Sequence, residues 1–292
     1  GQAEQLASYH ETVDGFNTLV VTPDQAYNEF SGGAQDITAI KEFIRMLYFE
    51  GFESGGRPIK YVLLYGDASY DYKNRVSGNS NFVPTHQMYT SLSPTGSIAS
   101  DDFFGLLDDD EGEAAADYLD IGVGRLPVRS KKEADDVVKK ILAYANSSAS
   151  FGEWRNVVAF VADDAEPGLV FMRDFENNGK IGLRIDTSTL EIITRKLYLD
   201  SYKQQSGSGG ERYPEGADAI SDQISKGALM MYYIGHGGEL GWAHERILEV
   251  PTITKWENLP RMPLFITATC EFSRFDDPCR TSGGEYALLN PN

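Results

Sequence analysis

Ala228-Leu-Met-Met-Tyr-Tyr-Ile234 runs directly into Gly235-His236-Gly237-Gly238. An unbroken apolar run, rather than an alternating one, is the pattern of a parallel strand buried on both faces. Leu264-Phe-Ile-Thr-Ala-Thr269 repeats the arrangement and runs into Cys270-Glu271. Val157 to Val161 is a third such run and is followed by Asp163-Asp164. Each apolar strand thus delivers a reactive side chain at its carboxyl end, which is where open parallel sheets carry their sites.

Outward from these runs the chain alternates strand and helix. Ala217 to Ile224 reads as helix, Ile192 to Leu199 as extended, and a helix is expected from about Gly168. Upstream, Leu19 to Thr22, Tyr61 to Tyr65 and Leu119 to Val123 read as strands. Ile37, Ile40, Phe43, Ile44 and Leu47 recur with helical period behind Asp36, and Ser130 caps a helix carrying Ala134, Val137, Val138 and Ile141. Asn146 to Gly152 is polar and small, so we place a boundary there: an N-terminal α/β subdomain over 1–148 and a catalytic α/β subdomain over 149–292. The alternation predicts a mostly parallel sheet with helices on both faces.

The 292 residues are 41% hydrophobic and 24% charged, the balance of a folded globular chain. A net charge of −18 repels phosphate backbones, so nucleic acid is not an expected partner. No apolar run approaches the roughly 20 residues of a spanning helix. Two cysteines make no disulfide framework.

His236 and Cys270 lie about one strand–helix–strand unit apart, so neighbouring strands can bring them together. A thiolate with an imidazole as proton partner is a nucleophilic pair. The flanking glycines let a substrate backbone approach. The amides of Gly237 and Cys270 can serve as oxyanion donors. Two other readings stand beside this one. A lone cysteine at a strand end is commonly a small core hydrophobe. Cys270, His236 and a carboxylate can also ligate zinc, although the Cys-x-x-Cys spacing is absent. Trp242 and His244 follow the histidine loop closely and are candidates for the site entrance. Asp108, Asp109, Asp110, Glu111 and Asp117 form an acidic loop, either a solvated charge run or a structural calcium site without EF-hand spacing.

Gly235 to Trp242 (Gly-His-Gly-Gly-Glu-Leu-Gly-Trp) and Ala268 to Pro278 (Ala-Thr-Cys-Glu-Phe-Ser-Arg-Phe-Asp-Asp-Pro) resemble the gingipain-type cysteine peptidases of the caspase-like clan. Within that family, Gly241 to Arg246, Cys270 to Pro278, Leu63 to Asp71, Ser100 to Gly105, Ile121 to Val128 and Arg212 to Pro214 resemble the PorU-type sortases of the type IX secretion system. The resemblance implies a caspase/gingipain-like three-layer α/β sandwich in two side-by-side subdomains. It implies a catalytic-domain fragment of a longer protein, cut after the nucleophile region. It implies a cysteine endopeptidase and transpeptidase at the extracellular face of the bacterial outer membrane. Such an enzyme removes the C-terminal signal domain of secreted cargo and joins the new end to anionic lipopolysaccharide. PorV, PorZ and PorQ are the implied partners, and no cofactor is required. Residue by residue, Cys270 matches the nucleophile, His236 the catalytic histidine, Gly237 and the Cys270 amide the oxyanion donors. Asp164, or Asp163 if the match slips by one, falls where an acid orients the histidine. Glu271, Trp242 and Gly238 are expected to touch substrate. The alternatives are a secreted gingipain-like protease, with Asp174 and Glu176 in the region of its specificity pocket, and a catalytically silent assembly module.

Overall fold

In the computed structural model, residues 1–53, 55–88, 97–109, 111–112, 117–167, 169–171 and 191–292 are described. The chain divides into two compact units. The first comprises Gly1–Asp135 and Phe275–Arg280, the second Asp136–Arg274 and Thr281–Asn292. The helix expected from Gly168, Asp110 of the acidic loop, Asp174 and Glu176 lie outside the described residues.

In the first unit, α1 (Gln2–Tyr9), α2 (Pro23–Phe30) and α3 (Ile37–Glu53) precede β1 (Tyr61–Tyr65). Two short strands, β2 (His86–Gln87) and β3 (Ala99–Ser100), pair antiparallel within the long loop that follows. β4 (Gly122–Leu126) then pairs parallel with β1, Tyr61 facing Gly122 and Tyr65 facing Leu126. The expected strand at Leu119 to Val123 is therefore displaced by three residues. Gly122 is needed beside Tyr61, because a Cβ there would stand 2.8 Å from the Tyr61 ring. Leu19 to Thr22 is not a strand. Thr22 instead opens α2, its N–H donating to the Gln25 side chain at 2.8 Å with Pro23 at the first helical position. Ile40 and Ile44 of α3 pack with Leu64, Phe104, Leu107 and Ile121.

The acidic loop of this unit is held by cations of α3. Arg45 pairs with Asp109 and donates to the Leu107 carbonyl at 2.8 Å, and Lys41 donates to the Glu111 carbonyl at 3.0 Å. Arg125 of β4 ties down the longer loop. Its guanidinium grips Asp101 at 2.6 and 2.8 Å and donates to the carbonyls of Gly66 (2.8 Å) and Val83 (2.7 Å). It also lies over the Phe275 ring, 5.0 Å from its centre.

α4 (Lys131–Asn146) is capped as its sequence requires, with the Glu133 N–H on the Ser130 hydroxyl at 3.2 Å. The second unit then builds a four-stranded, all-parallel sheet in the order β13–β9–β5–β6, from β5 (Val157–Ala162), β6 (Ile193–Tyr198), β9 (Met230–Ile234) and β13 (Leu264–Ala268). Between β6 and β9 lie the hairpin β7 (Gln205–Gly207) and β8 (Gly210–Arg212) and helix α5 (Pro214–Lys226). Between β9 and β13 a small antiparallel sheet forms from β10 (Gly237–Gly238), β11 (Gly241–Trp242) and β12 (Leu248–Glu249), followed by α6 (Val250–Ile253). Strand residues alternate between two cores. Ala159, Val161, Met231 and Tyr233 meet Ile220 and Ile224 of α5, while Val158, Phe160 and Ala162 meet Tyr198 on the opposite face. The sequence's expectation of an α/β chain with parallel strands is met. Among the described residues no helix is long and apolar enough to cross a membrane.

The last helix, α7 (Gly283–Leu289), acts as a brace. Its opening N–H groups have no partner inside the helix. Those of Gly283 and Gly284 donate to the carbonyls of Glu239 (2.6 Å) and Phe272 (2.7 Å). At its other end Lys140 donates to the carbonyls of Leu288 and Asn290.

Removing the Arg125 guanidinium leaves the largely buried Asp101 carboxylate with no cation and only the Thr85 hydroxyl as donor, and takes a donor from the carbonyls of Gly66, Val83 and Pro84. Arg125→Met should therefore lower stability by roughly 3–5 kcal/mol. Arg125→Lys should recover only part of the loss, since a point charge cannot span both carboxylate oxygens. Denaturant unfolding of the three proteins checks this.

Candidate active site

β9 and β13 are adjacent and parallel, in register from Met230–Leu264 to Ile234–Ala268. Their carboxyl ends therefore emerge side by side, one leading to His236 and the other to Cys270. Cys270 is a free, exposed thiol. Two residues on, Phe272 is buried in the core of the second unit. The chain thus leaves β13, turns through Glu271 in the left-handed region (φ 54°), and anchors itself again at once. Glu271 itself is exposed, with its carboxylate 3.9 Å from Arg274.

The glycines around His236 serve the protein's own packing. A Cβ on Gly235, whose φ is +156°, would lie 2.4 Å from the Asp163 Cβ. One on Gly237 would lie 2.3 Å from the Thr269 hydroxyl. Both positions bring the histidine loop hard against its neighbours, which is a different reason for glycine than room for a substrate. Gly237 and Gly238 are half-buried in β10.

Trp242 requires a correction. Expected at the site entrance, it is 0% exposed and stacks on Tyr233 with ring centres 4.3 Å apart and planes within 7°. Its ring also meets Phe272, tilted by 53° with centres 5.5 Å apart. In β11 the side chains alternate, so the one after Gly241 points inward to the core.

The carboxylates also fall differently from expectation. Asp163 accepts the backbone N–H of His236 at 2.8 Å and does not reach its ring. Asp164 accepts the hydroxyl of Tyr213 at 2.9 Å. The acid on the imidazole is Glu166, with Oε2 3.3 Å from Nε2. Sequence reasoning stopped at the two aspartates next to the strand, although the acid three residues on shares their loop. The imidazole further meets the edge of Phe171 (5.4 Å) and the face of His244 (5.0 Å, planes within 7°).

The two reactive loops are tied to each other by charge. Arg274, in the cysteine loop, donates to Glu239 at the tip of the β10–β11 hairpin, at 3.0 Å. Beneath the histidine, Asp163, Asp164 and Glu245 bring carboxylate oxygens within 4.8 Å of one another. Asp163 is 2% exposed. Burial pushes its carboxyl up to about 6, helped by the Glu245 and Asp164 charges and opposed by the His236 and Asp164 N–H groups. Burial also raises Glu245. Such displaced acids are characteristic of functional sites. Chemically, the site offers an exposed thiol, an imidazole held by a carboxylate, and nearby backbone amides.

The model of peptidase family C25 matches residues 1–292. No curated protein matches the chain. Among solved structures, it resembles a complex of Porphyromonas gingivalis RgpB pro- and mature domains (16% identity, TM-score 0.66), covering 98% of this chain and 57% of that one. It also resembles the Arg-specific cysteine proteinase gingipain R (17% identity, TM-score 0.61), covering 90% and 51%. Dimeric latent PorU from Porphyromonas gingivalis is 32% identical over 49% of this chain and 14% of its own, at a TM-score of 0.41. The chain thus spans little more than half of each gingipain chain it matches. The fold is the gingipain-like caspase fold that the motifs led us to expect.

An aspartate whose folded value lies above its ordinary 3.8 favours the fold below pH 4 and loses that contribution as pH rises through 6. At neutral pH the ionised Asp163 therefore costs the fold about 3 kcal/mol, at 1.36 kcal/mol per unit. Asp163→Asn keeps an oxygen for the His236 N–H and removes the charge. It should raise stability at pH 7.5 by about 1–3 kcal/mol, and the gap should close below pH 4. Paired denaturation curves across pH 3.5–8 check the sign.

Proposed function

Because the chain belongs to peptidase family C25, we propose that it is a cysteine peptidase with Cys270 as nucleophile and His236 as its proton partner. The observation that carries this reading is the adjacency of β9 and β13, whose carboxyl ends carry the two residues. Glu166 on Nε2 favours the tautomer with the proton there, which leaves Nδ1 free to take the thiol proton. The thiolate attacks the scissile carbonyl, and the amides of Gly237 and Cys270 receive the oxyanion. Collapse of the tetrahedral species expels the amine, which takes its proton from the imidazolium, and leaves a thioester. Water or an acceptor amine then releases the product.

Within the family, we assign it the sortase role: removal of the C-terminal signal domain of type IX secretion cargo at the outer-membrane surface, with transfer to anionic lipopolysaccharide. Supporting this are the stretches Gly241 to Arg246 and Cys270 to Pro278, which resemble PorU-type sortases. On this reading Glu271 faces the cargo chain, and PorV, PorZ and PorQ are neighbours of the complete protein.

An electrophilic peptide probe should label Cys270, with labelling lost in Cys270→Ala and slowed roughly 10²-fold or more in His236→Ala. Glu166→Gln should slow it by roughly 10²-fold, the cost of a misplaced reactive group, whereas Asp164→Asn should leave it within a few-fold. Equal labelling of wild type and Cys270→Ala would end the peptidase reading. Cleavage of arginyl or lysyl reporters in preference to a cargo signal-domain fusion would replace the sortase role with a digestive one.

A further inference from the structure

The loop after the β10–β11 hairpin performs a task that the peptidase reading does not use. Gly237 pairs with Trp242, and the next pair outward is His236 with Ala243, whose N–H donates to the His236 carbonyl at 2.8 Å. Ala243 then adopts φ +59°, a left-handed conformation that an alanine takes only when its surroundings impose it. The turn closes with the Arg246 N–H on the Ala243 carbonyl at 3.3 Å. Glu245 turns inward, toward Asp163 and Asp164. His244 is carried back over the His236 ring, parallel to it and 5.0 Å away.

His244 is exposed, so core packing does not account for this placement. Its ring covers one face of an imidazole that, among the described residues, also meets the Glu166 carboxylate at Nε2 and the Phe171 ring edge-on. The backbone of His236 is fixed separately, by Asp163 on its N–H and the Tyr233 hydroxyl on its carbonyl at 2.5 Å. What those bonds leave free is rotation of the ring about its own axis, and a flat ring stacked on its face resists that rotation.

We propose that His244 is a positioning residue for His236, its stacked ring fixing the imidazole plane and favouring the positive charge acquired when Cys270 gives up its proton. The inference rests on the peptidase reading above. In the step concerned, the proton leaves Cys270 Sγ for Nδ1 and yields a thiolate and an imidazolium, with no other reactant. The π face of a neighbouring ring attracts a cation, and an offset parallel pair at this spacing is a favourable arrangement.

Iodoacetamide is the probe, and its rate at Cys270 is read by mass spectrometry of the 292-residue chain at pH 7, with Cys279 as the internal control. His244→Ala and His244→Gln should slow alkylation of Cys270 about tenfold, or ~1.4 kcal/mol, and leave Cys279 unchanged. His244→Phe restores a flat ring that cannot titrate or coordinate, and it should stay within threefold of wild type. Rescue by phenylalanine but not by glutamine is the outcome that a role in folding alone would not give. Wild-type rates in His244→Ala, or equal losses in the alanine and phenylalanine variants, would overturn the proposal. An unchanged rate in His236→Ala would instead remove the thiol–imidazole reading, and this inference with it.

Discussion

The aromatic contact of Trp242, stacked on Tyr233 and met by a tilted Phe272, is the one on which the site depends. Tyr233 belongs to β9, Trp242 to the hairpin after His236, and Phe272 to the loop after Cys270. Three pieces of chain that carry or flank reactive groups therefore share one buried aromatic column. Aromatic side chains bury large areas and add geometric preference, so this column sets the depth at which both loops leave the sheet. Helix α7 completes the arrangement by donating one N–H to each loop. The reactive side chains sit on short segments, but those segments are pinned by the core below and by a helix end beside them.

Above the column, polar contacts supply direction. Arg274 and Glu239 link the cysteine loop to the histidine hairpin. Asp163 holds the His236 backbone, Glu166 holds its ring, and Asp164 is occupied by Tyr213. Three acids within one short segment after β5 thus do three different things. The burden of burying Asp163 as an anion is concentrated where the histidine loop must be held, and the N–H groups that the carboxylate receives offset only part of it.

The strands of the second unit were legible from their apolar runs. β5 and β9 are half-buried or buried along their whole length, as such a run requires, whereas β13 carries an equally apolar run with Leu264, Ile266 and Ala268 exposed. Val157 to Val161, Ala228 to Ile234 and Leu264 to Thr269 each correspond to an observed strand to within two residues at either end. Ser130 was legible as a cap because its hydroxyl has one obvious use at a helix start. Leu19 to Thr22 misled because its β-branched residues carry strand propensity, while Pro23 and Gln25 commit Thr22 to opening a helix. β4 was misplaced because its glycines look unlike a strand, and the need for one of them, Gly122, shows only once the Tyr61 ring of β1 is beside it. Trp242 was misread for a related reason. Whether an aromatic in a short hairpin faces solvent or core depends on a single residue of register, and the hairpin's glycines give no alternating pattern from which to read it. Glu166 was not visible because the order of acids along a loop does not reveal which one folds back onto the ring.

The cost of this geometry is visible in the backbone. Among the described residues, four that are not glycine have positive φ: Asn74, Ala243, Arg246 and Glu271. Asparagine tolerates that region, whereas the other three gain nothing locally from it. Those three all lie in the two loops that carry His236 and Cys270. Strain of this kind persists only where surrounding contacts over-determine it. Here the surroundings are the aromatic column, the Arg274–Glu239 pair and the N–H groups of α7. Glu271 bends so that an exposed cysteine can be followed within two residues by a buried phenylalanine. Ala243 bends so that the chain can bury Trp242 and then lay His244 over the imidazole. Relaxing either bend would improve local conformational energy and separate a reactive side chain from the core residue that fixes its position.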